Sequence, residues 1–268
     1  MNFVDYNGLG FNPMKVTRPN PSAFIDNASM VRDIFSSIFP DLGDLQLEYL
    51  RSAVKDSYTS LGWGRNVEAG ERPPAPTFQA VYDALENSCP DKKLLMRLRE
   101  LNDYGFFSGA GSESTVLDAT ALTLVRIHLT QNESLQRAFS SFILHNIYQS
   151  MFARGEQRFF THAIVIDEAH RASRLKLLPT LAKECRKYGI FLIIASQEAR
   201  DFNVSLFSAV GNYLVLRVTD QDAKALADQC VPSQARSKTI DRLKQLSKYH
   251  GIFFGVEQPR PEYLKLKS

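Results

Sequence analysis

Two short apolar runs, each ending in polar side chains, constrain this chain more than any other feature. Residues 163–166 read Ala-Ile-Val-Ile and are followed at once by Asp167 and Glu168. Residues 190–195 (IFLIIA) form a second run, followed by Ser196 and Gln197. Continuous, largely β-branched runs of this length read as strands buried on both faces. Between them Leu178, Leu181, Ala182 and Cys185 fall on one face of a helix, and Gly189 supplies its C-terminal stop. Residues 213–218 (YLVLRV) add a third strand, and 252–256 with 263–266 read as a closing pair. Strand–helix–strand alternation of this kind specifies an α/β protein with a mostly parallel sheet flanked by helices.

The first half is written differently. Residues 1–22 are rich in Asn, Gly and Pro and read as irregular. Met30, Val31, Ile34, Phe35 and Ile38 recur at helical spacing from Ser29, and Leu47, Leu50, Val54 and Tyr58 do so from Asp44. Residues 64–76 (GRNVEAGERPPAP) read as an exposed loop, with helices resuming at 77–88 and 91–103. Residues 115–118 (TVLD) look like a short strand. A long amphipathic helix is expected from Glu133 to Phe152, with Leu135, Phe139, Phe142, Ile143, Ile147 and Met151 as its stripe. The expected organisation is an irregular start and helical insertion over 1–110, then an α/β core over 111–268.

Composition excludes more than it selects. A chain of 268 residues can bury one sizeable core, or one core with a smaller lobe. The net charge of +3 permits a nucleic-acid partner without arguing for one. Cys89, Cys185 and Cys230 lack CxxC spacing, which fits a reducing interior better than a disulfide framework. The histidines lack i, i+4 pairing, so no structural metal is expected. The N-terminus shows no signal-peptide pattern and no apolar run could span a bilayer, so the expected location is cytoplasmic, away from a membrane.

In a parallel sheet, functional groups gather at the carboxyl ends of the strands. Asp167 there suits a Mg²⁺ held through water, and Glu168 could orient or deprotonate a water attacking a γ-phosphate. The competing reading makes Asp167 the cap of the next helix and Glu168 its solvated neighbour. The second strand weighs against that reading. Gln197 at its end could contact both the attacking water and the γ-phosphate, and Ser196 beside it is a further candidate nucleotide contact. Arg186, near the C-terminus of the intervening helix, is favourable there for dipole reasons alone. Its functional alternative is an arginine reaching a neighbouring subunit's phosphates. Arg200 is a weaker candidate for that role.

The order AIVIDEAHR, LAKECRKYGIFLIIASQEARDF and YLVLRVTDQDAKALAD resembles the HerA branch of the HerA/FtsK superfamily of DNA-pumping ATPases. Arg217, Thr219 and Asp222 match the family's L-R-x-T/N-x-x-D strand and turn, and the GIFFGV run from Gly251 resembles its terminal strands. The match is specific over 115–268 and loose over 1–114, where members carry a variable helical insertion. The resemblance implies a RecA-like P-loop NTPase core using ATP and Mg²⁺, in a homo-oligomeric, hexameric ring that moves DNA. Such rings serve DNA processing, restriction or anti-phage defence, some beside a nuclease or other effector. It also implies that Asp167 binds the metal, that Glu168 and Gln197 are catalytic, and that Arg186 acts in trans.

One departure matters. The chain has no GxxxxGK[S/T] loop and no Gly-Lys dipeptide anywhere. Nothing visible therefore wraps the β- and γ-phosphates. In the family this loop precedes the helical insertion, so the expectation is a C-terminal portion of a larger motor, inactive alone. Two rivals stand beside it: a catalytically silent ring-assembly subunit, and part of a conjugation or secretion coupling ATPase. Asp167-Glu168-Ala169-His170 also spells the DEAH of RNA helicases, but the distal arginine-rich motif those enzymes need is absent. DNA-contact candidates are Arg171, Arg174 and Lys176, with a second basic stretch at Arg236, Lys238, Arg242, Lys244 and Lys248. Each reads equally well as a solvated charged face.

Overall fold

Helical periodicity in the first half becomes five helices: α1 (Ala23–Ile38), α2 (Asp44–Ser60), α3 (Phe78–Ser88), α4 (Lys92–Asp103) and α5 (Glu133–Arg154). The computed structural model describes residues 2–4, 12–16, 22–64, 73–104, 107, 117, 122–126, 131–167, 177–255 and 260–267. They fall into two compact units. One comprises residues 1–162 with 174–177 and 187–189, and the other 163–173, 178–186 and 190–268.

In the first unit, starts follow side-chain caps. Thr77 accepts from the Ala80 amide, Asp91 from the Lys93 and Leu94 amides, and Asn132 from the Ser134 and Leu135 amides. Helix α1 begins six residues ahead of the expected Ser29, because Ala23 and Phe24 also join its buried face. Helix α5 is buried on nearly every side, which makes it the central helix of the unit rather than a one-sided surface helix. Its Phe142 meets Phe35 edge-on at 5.6 Å and Phe107 at 4.7 Å, while Phe35 stacks on Phe78 at 6.3 Å. Two short strands, β1 (Asn2–Val4) and β2 (Thr123–Val125), pair in parallel. Neither was legible in the sequence: three residues carry too little periodicity. Of the strand expected at 115–118, Leu117 is described and is buried in a 3-10 turn; its neighbours lie outside the described residues.

A buried polar network holds Pro13 and Met14. The Asn27 side-chain amide donates to the Pro13 carbonyl (3.1 Å) and to the Tyr58 hydroxyl (2.8 Å), and that hydroxyl donates to the Met14 carbonyl. Burial pushes the Tyr58 phenol well above its usual range. His145 Nε2 lies 3.4 Å from the Pro13 carbonyl, and its Nδ1 is buried without a partner among the described residues. Desolvation pushes this imidazole down to about 4, partly opposed by the Pro13 carbonyl. The folded value lies below the unfolded value, so as pH falls the unfolded chain takes up the proton first. Stability is then complete above about pH 6.5 and drains by about 3 kcal/mol as pH falls to about 4. Urea unfolding of the wild type against His145→Leu should show this acid-dependent component only in the wild type. An identical pH response in both would refute it.

The second unit carries the strands of the sequence pattern. They are β3 (His162–Ile166, its first residue in the other unit), β4 (Ile190–Ile194), β5 (Asn212–Val215), β6 (His250–Gly255) and β7 (Glu262–Lys265). Helix α6 (Leu177–Glu184) lies between β3 and β4, α7 (Val204–Ala209) between β4 and β5, and α8 (Asp220–Cys230) with α9 (Arg236–Gln245) between β5 and β6. Strands β5, β6 and β7 form an antiparallel sheet, with Val215 opposite Ile252 and Phe253 opposite Glu262. Its core joins Val215, Ile252 and Phe254 to Ala223, Leu226 and Leu243 of α8 and α9. Helix α6 buries Leu178 and Leu181 as expected, then tightens into a 3-10 turn, Cys185–Tyr188, that also buries Cys185.

Two expectations need correction. Strands β3 and β4 are not buried on both faces: Ala163, Val165, Phe191 and Ile193 are exposed, Val165 by 63%. Their β-branched composition satisfies strand propensity on either face, whereas the described residues pack against one face only. Arg186 lies in the 3-10 turn rather than in the helix proper, because Gly189 at φ +70° draws the last turn tight.

Candidate active site

The site begins with how β3 and β4 run. The Thr161 and His162 amides donate to the Gly189 carbonyl (2.7 and 3.2 Å), and the Ala195 amide donates to the Ile166 carbonyl (2.8 Å). The two strands are therefore parallel, with His162 beside Ile190 and Ile166 beside Ile194. Their carboxyl ends fall on one edge. Asp167 follows β3 in an exposed bend, and Gln197 follows β4, also exposed. By the two-residue alternation of a strand, both continue the open face of Val165 and Ile193.

Gln197 sits on a tightly bonded turn. The Ser196 hydroxyl, half-buried, donates to the Asp201 carboxylate, and Arg200 donates to Glu198. The Asp201 and Phe202 amides donate to the Glu198 (3.2 Å) and Ala199 (3.1 Å) carbonyls. The Ala199 amide is buried and donates to Asp222 Oδ1 at 3.0 Å. Asp222 Oδ2 in turn accepts from the Thr219 hydroxyl at 2.6 Å, while Thr219 caps α8. Thr-x-x-Asp at a helix start is a capping signal, with Thr219 as the cap and Asp222 in the first turn. The reach of Asp222 back to Ala199 was not legible in the sequence.

The remaining candidates separate. Arg186 is exposed and precedes β4, whereas Gln197 follows it, so a strand of roughly 16 Å lies between them. Arg186 therefore does not join Gln197 within one chain. Glu168, Arg171, Arg174 and Lys176 lie outside the described residues. In the second basic stretch Arg236 pairs with Asp228 (2.9 Å), Lys244 with Asp220 (2.8 Å), and Arg242 lies over the Tyr263 ring (5.0 Å).

The donor set fits part of a nucleotide site. An exposed aspartate at a strand end suits a hydrated Mg²⁺, and a glutamine amide can both donate to a phosphate oxygen and accept from a water. A phosphate-wrapping loop is a different requirement, and this sequence contains none. Among the described residues no cluster of His, Cys, Asp and Glu could hold a metal without such help, and no helix is long and apolar enough to cross a membrane.

The fold is that of the RecA-like P-loop ATPases, as likeness to solved structures shows. VirB4 of Thermoanaerobacter pseudethanolicus superposes with a TM-score of 0.75 at 20% identity, covering 99% of this chain and 76% of that one. The plasmid coupling protein TrwB, solved with ADP and Mg²⁺, superposes with a TM-score of 0.59 at 14% identity, covering 99% and 78%. In sequence, the probable helicase MJECL08 of Methanocaldococcus jannaschii is 28% identical over 113 residues. That stretch is 39% of this chain and only 21% of the helicase. No family model matches the chain.

Proposed function

We propose that this chain supplies the Walker B and sensor part of a HerA/FtsK-type ATPase motor acting on DNA, with residues 111–268 as its RecA-like core and 1–110 as a helical insertion. The observation that carries this reading is the parallel pairing of β3 and β4, which brings Asp167 and Gln197 to one edge of the sheet. ATP with Mg²⁺ would supply the labile phosphoanhydride and the charge neutralisation for its cleavage. Asp167 would hold the metal's water shell, and Glu168 would take the proton of the attacking water. Gln197 would hold that water against the γ-phosphate, with Ser196 fixing the turn beneath it. The Walker A loop would come from residues outside this sequence. Arg171, Arg174 and Lys176 are the proposed contacts to DNA phosphates.

Arg186 is proposed to act on a neighbouring subunit in a homo-oligomeric, hexameric ring, which agrees with its separation from Gln197. Assembled with a Walker A-bearing portion, the motor should hydrolyse ATP faster in the presence of duplex DNA. Arg186→Ala should lower turnover roughly 10³-fold. Mixing it with a Glu168→Gln variant should partly restore activity, because each mutant supplies what its neighbour lacks. No restoration in mixed rings would sink the action in trans.

A second reading is favoured by the likeness to TrwB, which is described as a bacterial conjugative coupling protein. A coupling ATPase of conjugation or secretion would use the same edge and the same residues. It would differ in where the motor works, at a membrane rather than in the cytoplasm, and in the protein beside it. Fractionation of cells carrying the complete motor separates the two.

A further inference from the structure

The turn that presents Gln197 is held from a distance. Resting on the reading of Gln197 as the γ-phosphate sensor, we infer that Asp222 is its positioning residue: the Asp222 carboxylate grips the Ala199 amide and so fixes where the sensor side chain stands. Asp222 is 8% exposed and Ala199 is 7% exposed, so water cannot readily replace this bond. Both carboxylate oxygens are committed, one to Ala199 and the other to the Thr219 hydroxyl. The charge is tolerated in this buried place because Asp222 lies in the first turn of α8, where the helix dipole and the amides favour an anion.

Capping alone does not account for the arrangement. Thr219 already accepts from the Asp222 amide as the N-cap, and α8 would start with that bond alone. The bond to Ala199 joins α8 to a residue two positions beyond Gln197. A second clamp, Ser196 to Asp201, closes the same turn from within. Sensor strand and α8 therefore move as one piece, and a displacement of α8 moves Gln197.

Amide exchange in this chain tests the grip directly. Asp222→Ala should speed exchange at Ala199 roughly ten- to hundredfold, while Leu226 and Ile252 keep their protection. Asp222→Asn, which keeps an oxygen for Ala199 and turns its amide toward Thr219, should restore the protection. Unchanged exchange at Ala199 in Asp222→Ala overturns the inference. If that variant fails to fold, Asp222→Asn against Asp222→Leu makes the same comparison.

Kinetics of the motor assembled with its Walker A portion separate positioning from bulk stability. Asp222→Ala should lower kcat roughly a hundredfold with KM unchanged, as should Gln197→Ala. The double variant should be no slower than either single one, because both act through one side chain. Additive losses overturn the inference. If Gln197→Ala alone leaves turnover intact, the sensor reading falls, and the exchange data by themselves decide whether Asp222 holds the turn.

Discussion

Glu168→Gln should reduce ATP turnover by the assembled motor about 10²- to 10⁴-fold, with kcat and kcat/KM falling together and nucleotide affinity retained. The change removes one proton-accepting oxygen and almost no volume, so the fold should survive. Steady-state hydrolysis with and without duplex DNA, together with binding of a non-hydrolysable nucleotide, checks both halves of the expectation. Loss of binding along with turnover would move Glu168 from chemistry to structure. Full turnover in the variant would remove it from the mechanism, and would favour the reading of the acidic pair as a helix cap.

Gly189→Ala should cost about 2–5 kcal/mol of stability, the largest effect expected of any single methyl group described here. Gly189 sits at φ +70°, where an L side chain is strained. A Cβ there would also lie 2.5 Å from the Phe159 carbonyl oxygen and 2.8 Å from the Gln157 Cβ. The oxygen belongs to backbone and cannot swing aside, so the strand entry itself must shift. The Gly189 carbonyl accepts from both Thr161 and His162, which makes it the rung that starts the β3–β4 pairing. Urea unfolding gives the cost. A loss at Gly189 no larger than about 1–2 kcal/mol, the cost of left-handed backbone strain, would remove the steric part of the effect.

Much of this was written locally. The run at 163–166, the helix ending at Gly189 and the run at 190–195 specify a strand–helix–strand unit by period, length and stop signal, and the structure forms it. Helices α2, α3, α4 and α5 start within a residue or two of where caps and apolar spacing put them. Each of those signals acts within one or two turns of chain, which is the range over which side-chain spacing and capping operate. Strands β1 and β2 escaped because three-residue strands exist only through each other. The exposure of Val165 and Ile193 escaped because β-branching reports strand propensity and not which face finds a neighbour.

The sequence by itself determined most of the elements, the two strand ends and the chemistry of what stands on them: an aspartate after β3, a glutamine after β4, and no GxxxxGK[S/T] motif. Only the tertiary structure decided which of those groups meet. Parallel pairing sets Asp167 and Gln197 on one edge, and the same geometry puts Arg186 at the far end of β4. It also joined Asp222, in the first turn of α8, to the turn that carries Gln197. The physical reason is one of range. Propensity and capping act over a few residues, whereas a buried amide takes whatever acceptor the packing brings near, here one that lies 23 residues away along the chain.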